Sequence, residues 1–347
     1  MNVLRTPDER FENLVDFPYA PNYLDVDDGE GSQLRIHYID EGPADGELIC
    51  CWHGQPSWSY SFRKMIPPLV AAGYRVIAPD LVGFGRSDKP AQRSDYTLAN
   101  HVAWMNRFVR ELGLTDITLV AQDWGGHIGL RVVADNMDRF SRVLATNTGL
   151  PDARGVADEM ASKLRQMLDA TPVLPPLEMT EKLRPKPEEE RSSWQAQAGA
   201  ADGNEDPPGF MYWIKFCDGY PDFDPGQIMS MWLNNCSDEE RRAYAAPFPS
   251  EEYKQGAREF PSLVPLQPDN PGVAGNRKAW EILGTFYKPF LTVYSEEDAG
   301  GSDKLFQQEI PGASGQNHIV LKGAQHYSQD DAGEELARIV IDFVNQN

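Results

Sequence analysis

The sequence predicts an α/β protein built on a mostly parallel, doubly wound sheet with one helical insertion. Three observations predict it. Short apolar runs alternate with amphipathic stretches as far as about residue 150, the pattern of strands and helices that packs a parallel sheet between helical layers. From about Pro151 the strand-like runs stop. After Pro265 they resume. The expected organisation is a core of residues 1–150 and 266–347 and a helical cap of residues 151–265.

Residues 34–39 and 48–52 read as strands, then 74–79, 117–121 and 142–146. Each is a short run of aliphatic, β-branched or aromatic residues bounded by turn-formers. Helical spacing covers 60–70, 98–112 and 126–134 between them. The insertion has an irregular lead-in at 172–208, rich in Pro, Glu, Ala and Gly and without strand runs. An aromatic and methionine-rich stretch follows, including Phe210, Tyr212, Trp213, Met229 and Trp232, and then a helix over 237–244. The last strands are 290–294 and 318–321, and the last helices 303–308 and 334–345. No internal repeat is visible.

With 347 residues, 41% of them hydrophobic, the chain easily supports a folded core. Its 53 acidic against 32 basic residues give a net charge of -21. A surface that negative repels nucleic acid and anionic lipid, so neither is an expected partner. Residues 1–22 hold acidic groups and no apolar run of signal-peptide length. No stretch of about 18 apolar residues suggests a membrane span. The four cysteines show no C-x-x-C spacing, and Cys50 and Cys51 read as buried free thiols. A reducing cytoplasm is the expected compartment. With only six histidines, no metal site is expected.

The most informative segment is Ile117-Thr-Leu-Val-Ala-Gln-Asp-Trp-Gly-Gly-His127. An apolar strand ends at Asp123, two glycines follow, and a helix begins. This is the setting of a nucleophile elbow, with aspartate where G-x-S-x-G places serine. The elbow lifts its side chain to the carboxyl end of the sheet, where ligands bind in such folds. The helix N-terminus favours negative charge there. The plainer reading is that Asp123 caps that helix, as Asp commonly does.

Two further segments favour chemistry. His53-Gly-Gln-Pro56 follows a strand, where an α/β-hydrolase fold places one oxyanion-hole amide; the other comes from the residue after the nucleophile. The donors are then the backbone N–H groups of Gln55 and Trp124, and the His53 imidazole is structural. Gly323-Ala-Gln-His326-Tyr-Ser lies between a strand and the last helix. His326 is the expected general base, because the fold's chain order is nucleophile, acid, histidine. His37, His101 and His318 fall inside elements and fit less well, and a surface role for His326 is the alternative. The acid belongs after strand 290–294, where Glu296, Glu297 and Asp298 are candidates. One of them would orient the imidazole and the others form a solvated acidic turn.

These residues resemble the haloalkane dehalogenases, in the subfamily whose acid follows the seventh strand. The resemblance runs from about residue 21 to 343. It rests on His53-Gly-Gln-Pro-Ser-Trp-Ser-Tyr60, Gln122-Asp-Trp-Gly-Gly126, Asn147-Thr-Gly-Leu-Pro151 and Gly323-Ala-Gln-His326. Gly209-Phe-Met-Tyr-Trp213 and Tyr244-Ala-Ala-Pro-Phe-Pro249 are more particular to the subfamily. The resemblance implies Asp123 as nucleophile, His326 as base and Asp298 as acid. The family often has Asp-x-Asp-Pro at the last position; Glu296 and Ala299 replace its first Asp and its Pro, which keeps Glu296 as an alternative acid. Asn147 stands where another subfamily has its acid, and an amide cannot be that anion. Trp124 and Trp213 match the two halide-holding tryptophans. An indole N–H donates with no competing acceptor, although core packing is the plainer role for Trp213. Segment 153–206 departs most from the family, being longer and more acidic, which leaves pocket and substrate preference open.

The implied reaction takes a haloalkane and water to an alcohol, a halide ion and a proton, with no metal or organic cofactor. The nearest rival is an epoxide hydrolase using the same Asp123 with Tyr212 and Tyr244 as acids. A fluoroacetate-type dehalogenase would need basic residues beside the nucleophile; Trp124, Gly125 and Gly126 supply none, and Arg131 lies a turn or more downstream. A non-catalytic binding protein on the same scaffold is the third rival.

Overall fold

The computed structural model describes residues 1–184, 207–298 and 302–347. Its centre is an eight-stranded sheet. In chain order the strands are β1 (Asn22–Asp27), β2 (Gln33–Glu41), β3 (Leu48–Trp52), β4 (Arg75–Pro79), β5 (Ile117–Gln122), β6 (Phe140–Thr146), β7 (Phe290–Ser295) and β8 (Ile319–Leu321). Their spatial order is β8-β7-β6-β5-β3-β4-β2-β1. From β8 across to β4 all neighbours are parallel. The β1 and β2 edge is antiparallel. Every residue of β3 and β5 is buried, as strands covered by helices on both faces must be. Trp52 pairs with Ala121, and Gln122 with Thr146. The carboxyl ends of β3, β5 and β6 therefore finish side by side, which gathers the loops after them.

The expected strands are all present, and β1 is an addition. Only Val26 of its six residues is buried, so an acidic edge strand carries too little apolar signal to be read. The helix expected over 60–70 is shorter. Residues Ser59–Phe62 form a 3-10 turn and α1 spans only Ile66–Ala71. Pro67 and Pro68 lack N–H groups and fit a helix only in its first turn, which fixes the start there. The next helices are α2 (Leu98–Glu111), capped by the Thr97 side chain, and α3 (Trp124–Asp135).

Between β6 and β7 the described residues form helices and no strand: α4 (Met160–Ala170), α5 (Pro176–Leu183), α6 (Gly209–Gly219), α7 (Pro225–Met231), α8 (Asp238–Ala245), α9 (Gln255–Glu259) and α10 (Val273–Leu283). The lead-in at 172–208 is thus partly helical, with Met179 of α5 buried; residues 185–206 lie outside the described residues. A capping box between Ser237 and Glu240 starts α8. After β7 come α11 (Asp303–Glu309), the single turn α12 (Ser328–Asp331) and α13 (Gly333–Gln346). Leu336, Ala337, Val340, Phe343 and Val344 form the buried stripe of α13, at the spacing of one helical face.

All four cysteines are free, with Cys50, Cys51 and Cys217 buried. No helix of the described residues is long and apolar enough to cross a membrane.

Candidate active site

Asp123 stands between the end of β5 and the start of α3, with φ 50° and ψ -121°. Such a backbone is uncommon for a residue with a side chain and marks a site where surrounding structure enforces the turn. The enforcement is visible next door, where a Cβ on Gly125 would collide with the Trp52 carbonyl. The Asp123 side chain makes no capping bond to α3, so the capping role is not what it performs. Instead its Oδ1 accepts the Gln55 N–H at 2.8 Å. Its Oδ2 lies 3.4 Å from Nε2 of His326. The close approach of Gln55 needs Gly54, because a Cβ there would collide with the Asp123 carboxylate.

His326 Nδ1 lies 2.8 Å from Asp298 Oδ1. Asp298 is buried whereas Glu296 and Glu297 are exposed, so of the three candidate carboxylates only Asp298 meets the imidazole. Ala299, the neighbouring departure from the family pattern, lies outside the described residues. The histidine backbone is held from the sheet side. Its carbonyl accepts from Asn147 Nδ2 at 2.8 Å and from Gln122 Nε2 at 3.2 Å. Ser295 N–H donates to Asn147 Oδ1 at 2.8 Å. These amide clamps escaped the sequence reading, which noted Asn147 only as a residue that cannot be an acid.

Charges in this row reinforce one another. Burial alone pushes the Asp123 carboxyl up, but the hydrogen bond and charge of His326, with His127 and the Gln55 N–H, hold it below its ordinary value. Burial likewise pushes the His326 imidazole down, and the hydrogen bonds and charges of Asp123 and Asp298 reverse that and lift it to about 10. The row thus favours a charged imidazole between Asp123 and Asp298.

Of the two expected oxyanion donors, the Gln55 amide bonds the carboxylate, while Trp124 is the first residue of α3, a position whose N–H has no partner within the helix. The Trp124 ring packs against Phe260 and His127, with centroids 4.5 Å and 5.0 Å away. Trp213 lies on the buried side of α6, stacked on Phe216. One turn further on, Cys217 Sγ receives Gln55 Nε2 at 3.8 Å, so α6 packs directly over the Gln55 loop. Neither the Trp124 nor the Trp213 indole N–H has a hydrogen-bond partner among the described residues. His53 is structural as expected: Nε2 accepts the Leu81 N–H at 2.9 Å, Nδ1 lies 2.8 Å from the Gly54 carbonyl, and burial pushes its pKa down.

The alpha/beta hydrolase fold family matches residues 47–332. Over its whole length the chain is 44% identical to a haloalkane dehalogenase of Psychrobacter cryohalolentis, covering 99% of that protein. The chain belongs to the haloalkane dehalogenases. A haloalkane dehalogenase of Mycobacterium marinum is 41% identical to it over 99% of this chain and 100% of its own. The tetrameric haloalkane dehalogenase DpaA of Paraglaciecola agarilytica NO2 superposes with a TM-score of 0.76 at 30% identity, over 98% of this dehalogenase and 97% of that chain.

One rival reading loses one of its two phenols in this dehalogenase. Tyr244 does not serve as a free phenol: its O–H donates to Asp330, and it packs edge-on against Tyr60. Burial and the Asp330 charge push its pKa well up. Arg131 packs against Gly275 of α10.

Proposed function

We propose that this dehalogenase cleaves carbon–halogen bonds of haloalkanes through an alkyl ester on Asp123. One observation carries the reading. The Asp123 carboxylate ignores its own helix, engages an amide with one oxygen and turns the other toward His326. An ionised carboxylate needs no base to displace halide from a saturated carbon. Oδ1, already held by Gln55, becomes the carbonyl oxygen, and Oδ2 attacks. The C–O bond forms as the carbon–halogen bond breaks, and the halide leaves toward the indole N–H groups of Trp124 and Trp213, donors that carry no competing acceptor.

Ester formation also prepares the second step. It removes the Asp123 negative charge, one of the causes holding the His326 pKa up. The imidazole then loses its proton more readily and can accept one from water. The hydroxide attacks the ester carbonyl, and the Gln55 and Trp124 amides hold the oxyanion. Collapse expels the alcohol oxygen, which takes a proton, and restores the carboxylate with net release of one proton. Asp298 orients the imidazole and stabilises its charged form. Residues 151–265 act as the cap over this site, with Trp213 as their contribution to halide binding. A haloalkane, a halide ion and water are the only small molecules the scheme needs.

The test is bromide release from 1-bromobutane or 1,2-dibromoethane beside diol formation from styrene oxide, with Asp123→Ala as control. Bromide release lost in the variant supports the reading. Diol formation without bromide would replace it with epoxide hydrolysis. His326→Ala exposed to substrate should carry an alkyl adduct by intact-protein mass spectrometry; an unmodified protein that still binds substrate would sink the two-step scheme.

A further inference from the structure

We infer that Asp331 is a positioning residue for ester hydrolysis, tying the loop that carries His326 to the helical insertion. The inference rests on the reading of His326 as base. Asp331 ends α12, the single turn that follows the histidine. Its Oδ2 accepts the N–H of Gln325, the residue before His326, at 2.9 Å. Its Oδ1 accepts the N–H of Asn234, in the segment between α7 and α8, also at 2.9 Å. The Asn234 side chain completes the link. Its Nδ2 donates to the Gly323 carbonyl at 2.5 Å and its Oδ1 accepts from Gln325 Nε2 at 3.1 Å.

The Gln325 peptide is consequently held at both ends. Asp331 holds its N–H, while Ser295 Oγ and Asn147 Nδ2 donate to its carbonyl at 2.7 Å and 3.2 Å. The sheet side of this clamp belongs to the core, and the Asp331 side reaches the insertion. Bonds from N–H groups to a carboxylate are among the stronger ones a half-buried site offers. The neighbouring Asp330 makes a separate attachment, to Arg63, Lys64 and Tyr244.

The two chemical steps should feel Asp331 differently. Displacement of halide uses Asp123 and the indoles, whose supports do not include Asp331. Hydrolysis requires His326 Nε2 aimed at a water, and loss of the Asp331 bonds releases the peptide that aims it. A small misplacement of a catalytic group is enough to slow its own step strongly.

Single-turnover experiments with enzyme in excess over 1-bromobutane separate the steps. In Asp331→Ala, bromide release is expected within about twofold of wild type. Alcohol formation is expected to slow about tenfold or more, with the ester accumulating in the intact mass. Asp331→Asn keeps the shape but turns an NH₂ toward one of the two donors, so it should show the same split and covers the case in which the alanine variant does not fold. Equal slowing of both steps, or no slowing of either, overturns the inference. His326→Ala run in parallel keeps the two readings apart: if it fails to accumulate ester, the assignment of the base falls; if it accumulates ester while the Asp331 variants do not, only the role of Asp331 falls.

Discussion

His326 Nδ1 and Asp298 Oδ1 lie 2.8 Å apart, while Glu296, two residues earlier, is exposed. Asp298→Asn replaces an anion with an amide and favours the wrong tautomer of the imidazole. Its kcat is expected to fall on the order of a thousandfold. Glu296→Gln should stay within about twofold of wild type, as surface substitutions usually do. Comparable losses in both variants would refute Asp298 as the acid.

The unpartnered indole N–H groups make the halide reading measurable. Trp124→Phe and Trp213→Phe each keep an aromatic surface and delete one donor. A hydrogen bond to a charged group contributes about 1.5–3 kcal/mol, so each change should weaken bromide binding roughly tenfold to a hundredfold. Halide titration followed by tryptophan fluorescence gives the number. Unchanged bromide affinity in Trp213→Phe would return that residue to simple packing.

The raised pKa of His326 has a signature in stability. An unfolded histidine titrates near about 6.5, and the folded one near about 10. The stabilisation is therefore fully present below the unfolded value and is lost as pH rises through the folded one. Urea midpoints of wild type should drop more between about pH 7 and about pH 10 than those of His326→Gln. Parallel curves would show that the imidazole is not held charged. The alkylated enzyme should titrate lower, so the acid limb of ester hydrolysis belongs below the free-enzyme value.

Arg63 and Asp330 form a buried ion pair, with side chains 0% and 1% exposed, and Arg63 also reaches Glu240 of α8. Removing only the carboxylate in Asp330→Ala leaves Arg63 with Glu240 as its one anion and takes the acceptor from Lys64 and Tyr244, and it is expected to cost about 3–5 kcal/mol in chemical denaturation. Replacing both partners with apolar residues, Arg63→Met with Asp330→Leu, should cost much less. Equal losses would mean that the pair's charge is not what matters.

The sheet was readable because buried parallel strands are continuous apolar runs, as in residues 117–121, and the one strand missed, β1, buries a single residue. Asp123 and His326 could be named as candidates because the elbow glycines and the chain order of the fold mark them. Asp298 could not be separated from Glu296 by local sequence, since all three candidates are carboxylates in one turn and only burial divides them. Gln122, Asn147 and Asp331 bond to backbone atoms far away in the chain. No sequence pattern encodes such partners, because any polar side chain at those positions looks like loop chemistry until the strands are aligned.

The order of strands bears on how the enzyme is made. In the finished sheet β6 is flanked by β5 and β7, yet β7 follows β6 only after the whole helical insertion. A nascent chain that has completed β6 exposes the apolar edge 143–145 for as long as the insertion takes to emerge from the ribosome. Unpaired apolar edges recruit other chains. A product terminated inside the insertion should thus sediment with aggregates rather than accumulate as a partial enzyme, and Asp123 is left without Asp298 and His326 until the last strands zip on.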